Sequence, residues 1–257
     1  VSTNTTAQNV LIGLSDKDQE GVYKWSSGPE SGTIIRNGNT NVPGKYNNWA
    51  GGEPNNWGSG ENFVVTNWNG GTTWNDLSTQ SNTAALVGSP TLSASPASFT
   101  FGPNKHATTT KSNISLTNAT FIAWVNPSQT QGSYTGILFN RYGNGGSTVN
   151  ATGLDLYSNN SVGYHWNDAV ATYNWNSNLF VPNGVWSMIA ITISANSATA
   201  YLCNANGISS ASNSNSHSTL TGLNFFIACD PADKSSRVFI GNIATAMVYN
   251  SALSLSD

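Results

Sequence analysis

The stretch WSMIAITI, residues 186–193, and the stretch RVFIGNIATAMVY, residues 237–249, decide the fold class of this chain. Both mix apolar–polar alternation with short continuous apolar runs, a pattern typical of strands in two sheets that face each other. No stretch after residue 98 keeps a helical apolar stripe for three turns. The sequence therefore predicts an antiparallel β-sandwich. Further strand-like runs lie between turns rich in Gly, Asn and Ser, at 121–125, 136–139, 153–157, 162–166, 198–203 and 223–228.

The composition restricts the classes of function. Apolar side chains make up 38% of the 257 residues, with nine each of Trp, Tyr and Phe, which is enough for a packed core. Only 9 basic and 12 acidic side chains are present, so the clustered Lys and Arg that bind nucleic acid are missing. No apolar run approaches the length of a membrane span. A nearly neutral chain rich in small hydrogen-bonding side chains favours an extracellular or cell-surface β protein.

The cysteines and histidines are few. Cys203 and Cys229 lie at the ends of strand-like runs, and the sequence leaves open whether they form a disulfide or remain two buried thiols. The three histidines are scattered, and no CxxC motif is present. A zinc site is therefore not expected.

A segment rich in Ser, Ala and Pro near residues 89–98 divides the chain. Residues 1–90 carry seven acids and four bases, whereas residues 91–257 carry five of each. We predict a first domain over 1–90, a linker over 91–98 and the sandwich over 99–257. Within the sandwich, the low-complexity segment 209–218 predicts a mobile surface loop.

Three carboxylates and two amides lie within 24 residues of the first part: Glu53, Asn55, Glu61, Asn75 and Asp76. Their segments are rich in Gly, Asn and Trp and cannot be long helices. Hard cations take about six to eight oxygen ligands from carboxylates, amide carbonyls and water, which such loops can supply. From the spacing alone, a calcium site and a merely polar loop are both open.

The first part resembles the C-type lectin domain. The matching pieces, in order, are LIGLSD at 11–16, Glu20-Gly21, Trp25, NWAGGEPNN at 48–56, Glu61 and WND at 74–76. The resemblance implies that Glu53, Asn55, Glu61, Asn75 and Asp76 ligate a principal calcium ion and hydrogen-bond two vicinal hydroxyls of mannose-, glucose- or fucose-type glycans. It also implies an auxiliary calcium site, only partly kept, at Asp16, Glu20, Asn56 and Asn62.

Two departures from that family stand out. Its disulfide cysteines are absent, and Phe63 stands where one is expected. Only ten residues precede Leu11, where the family normally has a strand and two helices. We therefore expect a truncated α+β domain, completed by further segments of the same polypeptide or by another chain.

Residues 99–257 resemble the laminin-G-like, concanavalin-A-like jelly-roll family. The matching pieces are FIAWVNP at 121–127, GLDL at 153–156, YHWND at 164–168, WSMIAIT at 186–192 and FIGNI at 239–243. The family implies the fold more strongly than a function, since such sandwiches bind sugars or proteins.

Three aspartates of the sandwich invite a calcium interpretation. The triplet at 166–168 repeats Trp-Asn-Asp but has no Glu-Pro-Asn partner, so we place Trp166 in the core and Asp168 at a turn. Asp230 and Asp233 favour a turn over a second calcium site, because Asp-Pro is turn chemistry.

These features together predict a calcium-dependent lectin portion of a secreted or surface adhesin, with glycans as its partners. The alternative is a protein-binding or structural module with a degenerate sugar site. We do not expect an enzyme, because the sandwich has five Asp, no Glu and no closely spaced acidic pair. It also lacks a Gly-X-Ser-X-Gly nucleophile motif.

Overall fold

The structure is a computed structural model. It describes residues 10–26, 31–45, 49, 54, 63–66, 73–74, 76, 82–94, 97–109, 114–141 and 151–254. The chain divides into two compact units, one of residues 1–71 with 92–97 and the other of residues 72–91 with 98–257.

The first unit contains a five-stranded antiparallel sheet in the order β4-β3-β2-β1-β5. Its strands are β1 (Val10–Ser15), β2 (Val22–Trp25), β3 (Ile34–Asn37), β4 (Thr40–Asn41) and β5 (Phe63–Thr66). Leu14, Tyr23 and Ile35 form its small core, against which Trp25 and Trp49 pack. The membership of this sheet in a C-type lectin domain stays a prediction.

The second unit is nearly all β. The strands that follow β5 along the chain are β6 (Thr73–Trp74), β7 (Ala84–Val87), β8 (Thr91–Ala94), β9 (Ala97–Phe101), β10 (His106–Thr109), β11 (Ile114–Leu116), β12 (Ala119–Pro127), β13 (Thr135–Asn140), β14 (Thr152–Leu156) and β15 (Val162–His165). After the short helix α1 (Val170–Tyr173) come β16 (Ser187–Ser194), β17 (Ser197–Asn204), β18 (Gly207–Asn213), β19 (Leu220–Leu223), β20 (Phe226–Ile227) and β21 (Gly241–Tyr249). In the part of the chain that the structure describes, no helix is long and apolar enough to cross a membrane.

Two seven-stranded sheets form the sandwich. One has the order β15-β14-β13-β20-β10-β7-β6, and the other has the order β18-β17-β16-β12-β21-β9-β8. Strands β11 and β19 form a separate antiparallel pair. The predicted antiparallel β-sandwich is therefore confirmed.

The core lies between the two sheets and is filled from alternate positions of their strands. The fully buried apolar side chains include Phe121, Ala123 and Val125 of β12, Ile189, Ile191 and Ile193 of β16, Leu154 and Leu156 of β14, and Val162 and Tyr164 of β15. Trp166 joins this core and Asp168 lies in a turn, as predicted. Alternation works here because successive side chains of a strand point to opposite faces of the sheet.

Two segments differ from the strand predictions. Residues 223–228 are divided between β19 and β20, and β21 begins only at Gly241. The segment 209–218, predicted as a mobile loop, instead contributes most of β18, which pairs with β17 at seven positions from Ala198–Asn213 to Asn204–Gly207. The backbone hydrogen bonds of that ladder hold a strand whose Ser and Asn side chains give no apolar pattern.

The boundary between the units also lies elsewhere than predicted. Residues 72–91 belong to the sandwich unit, and strands occupy most of the predicted linker. Packing explains this, because the Trp74 ring lies 5.1 Å from Phe99 and 6.3 Å from Phe101, centroid to centroid. Strand β7 pairs with β10 from Ala84–Thr109 to Val87–His106.

Both cysteines are free thiols in the structure. Cys229 is buried, and burial raises the pKa of its thiol to about 12. Cys203 is partly exposed.

At Gly153 the backbones of β14 and β13 are too close for a side chain. Its φ is +144°, and a Cβ there would lie 2.1 Å from the carbonyl oxygen of Leu138. That atom is backbone and cannot move aside, so we expect Gly153→Ala to lower the free energy of unfolding by about 3 kcal/mol in urea denaturation. Gly102→Ala is the matched control, since nothing lies within 4 Å of its Cβ position. Equal losses in the two variants would contradict this packing.

Candidate functional site

Three of the nine residues predicted to bind calcium lie among the described residues, namely Asp16 and Glu20 in the first unit and Asp76 in the sandwich unit. One carboxylate oxygen of Asp76, Oδ2, accepts the backbone N–H of Asn82 at 2.6 Å. Glu20 is exposed. The other six lie outside the described residues: Glu53, Asn55, Asn56, Glu61, Asn62 and Asn75. The calcium set therefore stays a prediction.

Asp16 has one feature that fits a cation. Its side chain is buried, and Oδ2 accepts the backbone N–H of Gly21 at 2.9 Å, closing the turn after β1. The other oxygen, Oδ1, is buried with no hydrogen-bond partner. A buried carboxylate oxygen without a partner is costly, and a hard cation is one group that would satisfy it. In the described ranges, no three His, Cys, Asp or Glu side chains are grouped to hold a metal.

A second polar site lies on the sheet face opposite the sandwich core, and sequence reasoning missed it. On β14, Asp155 stands between Leu154 and Leu156, whose side chains enter the core. Asp155 therefore points to the other face, as does His165 beside the core residue Tyr164. We call this the outer face of the sheet.

Asp155 and His165 form a buried pair on the outer face. His165 Nδ1 lies 2.9 Å from Asp155 Oδ2, and the exposed fractions of their side chains are 4% and 0%. The antiparallel register brings them together, because Asp155 faces Gly163 and Gly153 faces His165. Gly163 leaves the room that this pair needs, since a Cβ there would lie 2.7 Å from Asp155 Oδ1.

Three tyrosines cover this pair, and we call Tyr134, Tyr157 and Tyr173 the tyrosine cluster. The Tyr134 ring meets the other two edge to face, with centroids 5.8 Å from Tyr157 and 6.3 Å from Tyr173. It also lies 5.4 Å from the His165 ring. All three tyrosines are half-buried.

The backbone of Tyr134 is strained. Its φ is +59°, in the left-handed region that bulky residues seldom adopt. Such conformations persist where surrounding contacts impose them, and they concentrate at ligand-binding and active sites. The contacts here are the edge-to-face rings and the guanidinium of Arg237, whose Cζ lies 5.5 Å from the Tyr134 centroid.

Two effects act in opposite directions on the pKa of Asp155 in the buried pair. Burial raises the pKa of the Asp155 carboxyl, while the neighbouring imidazole of His165 acts to lower it. The imidazole stacks on Tyr173 at 5.4 Å and meets the edge of Phe139 at 5.0 Å.

A buried ionic network holds Arg237 in place. The Asp230 carboxylate is fully buried, and Arg141 donates to both its oxygens, through Nε and Nη2, at 2.9 Å each. Arg237 Nη1 donates to Oδ2, also at 2.9 Å. Burial acts to raise the pKa of Asp230, but the hydrogen bonds from Arg141, the Ala232 N–H and Arg237 outweigh it and lower the pKa.

Asp230 is thus more than the turn residue that the sequence predicts. It does begin a turn, since its carbonyl accepts the N–H of Asp233, but its carboxylate oxygens are occupied by two arginines. Asp233 is a turn residue as predicted, with Oδ1 accepting the backbone N–H groups of Ser235 and Ser236.

The network gives a pH-dependent prediction. At pH 7, Asp230→Asn leaves Arg141 buried without its counter-charge, so we expect a loss of about 3–5 kcal/mol in the free energy of unfolding. The pKa of Asp230 is below its ordinary value of 3.8, so its contribution is complete above that pH and is lost as the pH falls through the lower folded value. Denaturation from pH 7 to pH 2 should show the two proteins converging in acid.

Asp233→Asn is the control for the size of the loss at pH 7 and should lose much less than Asp230→Asn, because the Asp233 carboxylate bonds only within its own exposed turn. A constant difference between Asp230→Asn and wild type at all these pH values would contradict the ion-pair explanation.

The comparisons with known proteins agree with this architecture. The family model Laminin_G_3, described as the concanavalin A-like lectin/glucanases superfamily, matches residues 101–257. Halomucin of Haloquadratum walsbyi is 42% identical over 69 residues, which are 27% of this chain. The match spans about 1% of the length of Halomucin.

Two solved structures are among those similar to this chain. Domain 4 of an extracellular arabinanase from Geobacillus stearothermophilus, in complex with arabinotriose, is 14% identical with a TM-score of 0.47, over 67% of this chain and 78% of that one. The CBM40 of a Ruminococcus gnavus sialidase, bound to sialyllactose, is 16% identical with a TM-score of 0.45, over 55% of this chain and 80% of that one.

Proposed function

The chain belongs to the concanavalin A-like lectin/glucanases superfamily through residues 101–257, and from that premise we propose that it is a non-catalytic carbohydrate-binding module of an extracellular or cell-surface protein. The observation that carries the proposal is the tyrosine cluster, three half-buried rings beside the buried pair of Asp155 and His165. Ligand sites combine apolar and aromatic walls with a few directed polar groups, and this cluster has both.

The cluster offers what a sugar ring needs. Aromatic faces pack against the apolar C–H face of the sugar, while phenol and guanidinium groups can bond its hydroxyls. The Tyr157 hydroxyl already donates to the Tyr173 carbonyl at 2.5 Å, which fixes these two residues relative to each other. The Arg237 side chain is 35% exposed while its Nη1 is paired with Asp230, and a guanidinium group has further N–H donors beyond that one. A site fixed in this way loses little entropy when a glycan binds.

Tyr134 is the residue whose removal tests the proposal. Tyr134→Asn deletes the ring but keeps a residue type that tolerates a left-handed backbone, so we expect a folded protein with about tenfold weaker glycan binding. A glycan array, followed by calorimetry on the best ligand, measures this.

Tyr249→Asn is the control, because Tyr249 is an exposed tyrosine on β21 outside the cluster. Unchanged affinity in Tyr134→Asn would remove the cluster from the site. A wild-type protein that binds no glycan would favour the protein-binding alternative.

The proposal extends to calcium. We place the principal ion on Glu53, Asn55, Glu61, Asn75 and Asp76, with mannose-, glucose- or fucose-type glycans as ligands. The support is the order and spacing of these residues in the sequence, together with the unpartnered buried Oδ1 of Asp16 for the auxiliary site. Bound calcium would supply a cation that vicinal sugar hydroxyls can coordinate, while the carboxylate and amide groups orient those hydroxyls.

Glu61→Ala tests the calcium part of the proposal. Removing a charged ligand should abolish a calcium affinity of roughly 10⁻⁴–10⁻³ M, typical of extracellular modules, and glycan binding should fall with it. Calcium titration by calorimetry and a glycan array with and without chelator measure the two effects. Asp18→Ala is the matched control, since the Asp18 carboxylate lies at the surface in an ion pair with Lys24.

The two parts of the proposal fail separately. Glycan binding that survives chelator but is lost in Tyr134→Asn would leave the tyrosine cluster as the site and overturn the calcium part. A wild-type protein that binds no calcium would have the same consequence for that part.

A further inference from the structure

A groove lies on the sandwich unit between the loop after α1 and the hairpin that joins β17 to β18. Its volume is about 170 Å³. Its walls are lined by Phe180, Pro182, Leu202, Asn204, Asn206 and Ser209. None of these side chains takes part in the tyrosine cluster or in the ionic network of Asp230.

One wall carries an exposed aromatic ring on a fixed loop. Phe180 is 50% exposed, although an apolar ring gains by burial. Its backbone forms a β-bridge with Ser161, and the next residue, Val181, donates its N–H to the Asn160 carbonyl at 3.0 Å. The buried Asn160 side chain returns a hydrogen bond to the Val181 carbonyl at 3.2 Å. The ring is therefore presented to solvent by a braced backbone.

The β17–β18 hairpin contributes two side-chain amides and a hydroxyl to the groove. The side-chain oxygen Oδ1 of Asn204 accepts the backbone N–H of Asn206 at 2.9 Å, which closes the hairpin turn and orients the Asn204 amide NH₂. Ser209 adds a hydroxyl from β18. No lining residue is charged. A charged ligand would find no counter-charge here, whereas an uncharged ligand with many hydroxyls would find donors and acceptors in both side-chain amides.

These observations point to one ligand class. The groove, with a volume of about 170 Å³, has room for about one six-membered ring, and its lining combines an aromatic ring with side-chain amides. A pyranose has the matching faces, since its axial C–H bonds can pack on an aromatic ring while its hydroxyls pair with amides. The tyrosine cluster differs, because Arg237, Asp155 and His165 place ionisable groups there.

We propose that this groove is a second carbohydrate subsite, which takes an uncharged pyranose residue through stacking on Phe180 and hydrogen bonds from Asn204 and Asn206. The inference rests on the proposed carbohydrate-binding function, and it adds a site that the tyrosine cluster and the calcium set do not include. Two separate sites would let one module hold two sugar residues of a branched or long glycan, or two chains.

The test follows the side-chain amide signals of Asn204 and Asn206 by two-dimensional nuclear magnetic resonance. The probes are methyl α-mannopyranoside, methyl α-glucopyranoside and methyl β-galactopyranoside, each titrated in the presence of chelator. At least one should shift both amide signals in wild type and in Tyr134→Asn. Phe180→Ala should weaken that binding at least tenfold. Phe180 is half exposed, so this variant keeps its core, and Val185→Ala, a change at another exposed apolar residue, is the control.

The outcomes separate this inference from the proposed function. Shifts that persist in Tyr134→Asn and vanish in Phe180→Ala support the groove. Glycan binding on an array without shifts at Asn204 and Asn206 overturns the groove and leaves the proposed function standing. Shifts that are equal in Phe180→Ala and wild type also overturn it, because the stacking ring would then contribute nothing.

Discussion

The hairpin of β14 and β15 is buried on both of its faces, and the sandwich unit is arranged around that constraint. One face supplies apolar side chains to the core, as a sheet in a sandwich must. The other face carries Asp155 and His165, and burying two ionisable side chains is costly unless they pair with each other. The register across the hairpin brings His165 Nδ1 to 2.9 Å from Asp155 Oδ2. Gly163, which has no side chain, leaves the space that Asp155 occupies. The tyrosine cluster then acts as the cover that removes the pair from water.

That cover depends in turn on a second buried charge. Asp230 draws Arg141 from the end of β13 and Arg237 from the segment before β21, so one carboxylate fixes two distant parts of the chain. Arg237 reaches from this network to the Tyr134 ring, whose backbone is held in a strained conformation. Contacts of this kind hold the side chains in one arrangement before a ligand arrives, which lowers the entropy cost of the carbohydrate binding proposed above.

The sequence predicted those parts of the fold in which a local pattern decides the outcome. Strands β12 and β16 alternate or run apolar over their whole length, and both lie where they were expected. Strand β18 was missed, because Ser and Asn give no apolar period and its pairing with β17 alone makes it a strand. Strands β6 and β7 were assigned to the first domain, because composition marks a linker after them but cannot show that Trp74 packs on Phe99 and Phe101.

The candidate site was less accessible to such reasoning. Asp155 lies in GLDL and His165 in YHWND, two pieces quoted in the sequence analysis. An ionisable residue between core positions was the one sequence feature that could have indicated a site there. Their pairing depends on the register of two strands, which no single stretch encodes. The predicted calcium ligands, in contrast, were found from the order of residue types along the sequence. Asp16 is the one for which the structure adds an observation, since its Oδ1 is buried with no hydrogen-bond partner.

The two free thiols differ in exposure, so the folded protein can be labelled selectively at one of them. Cys229 is buried and its raised pKa keeps it protonated, so it resists alkylation in the folded state. Cys203 is partly exposed, and it follows Leu202 along β17. Alternation directs its side chain to the face opposite the groove wall. A maleimide fluorophore would therefore attach at one defined position, on the face of β17 that the groove does not use, without any engineered residue.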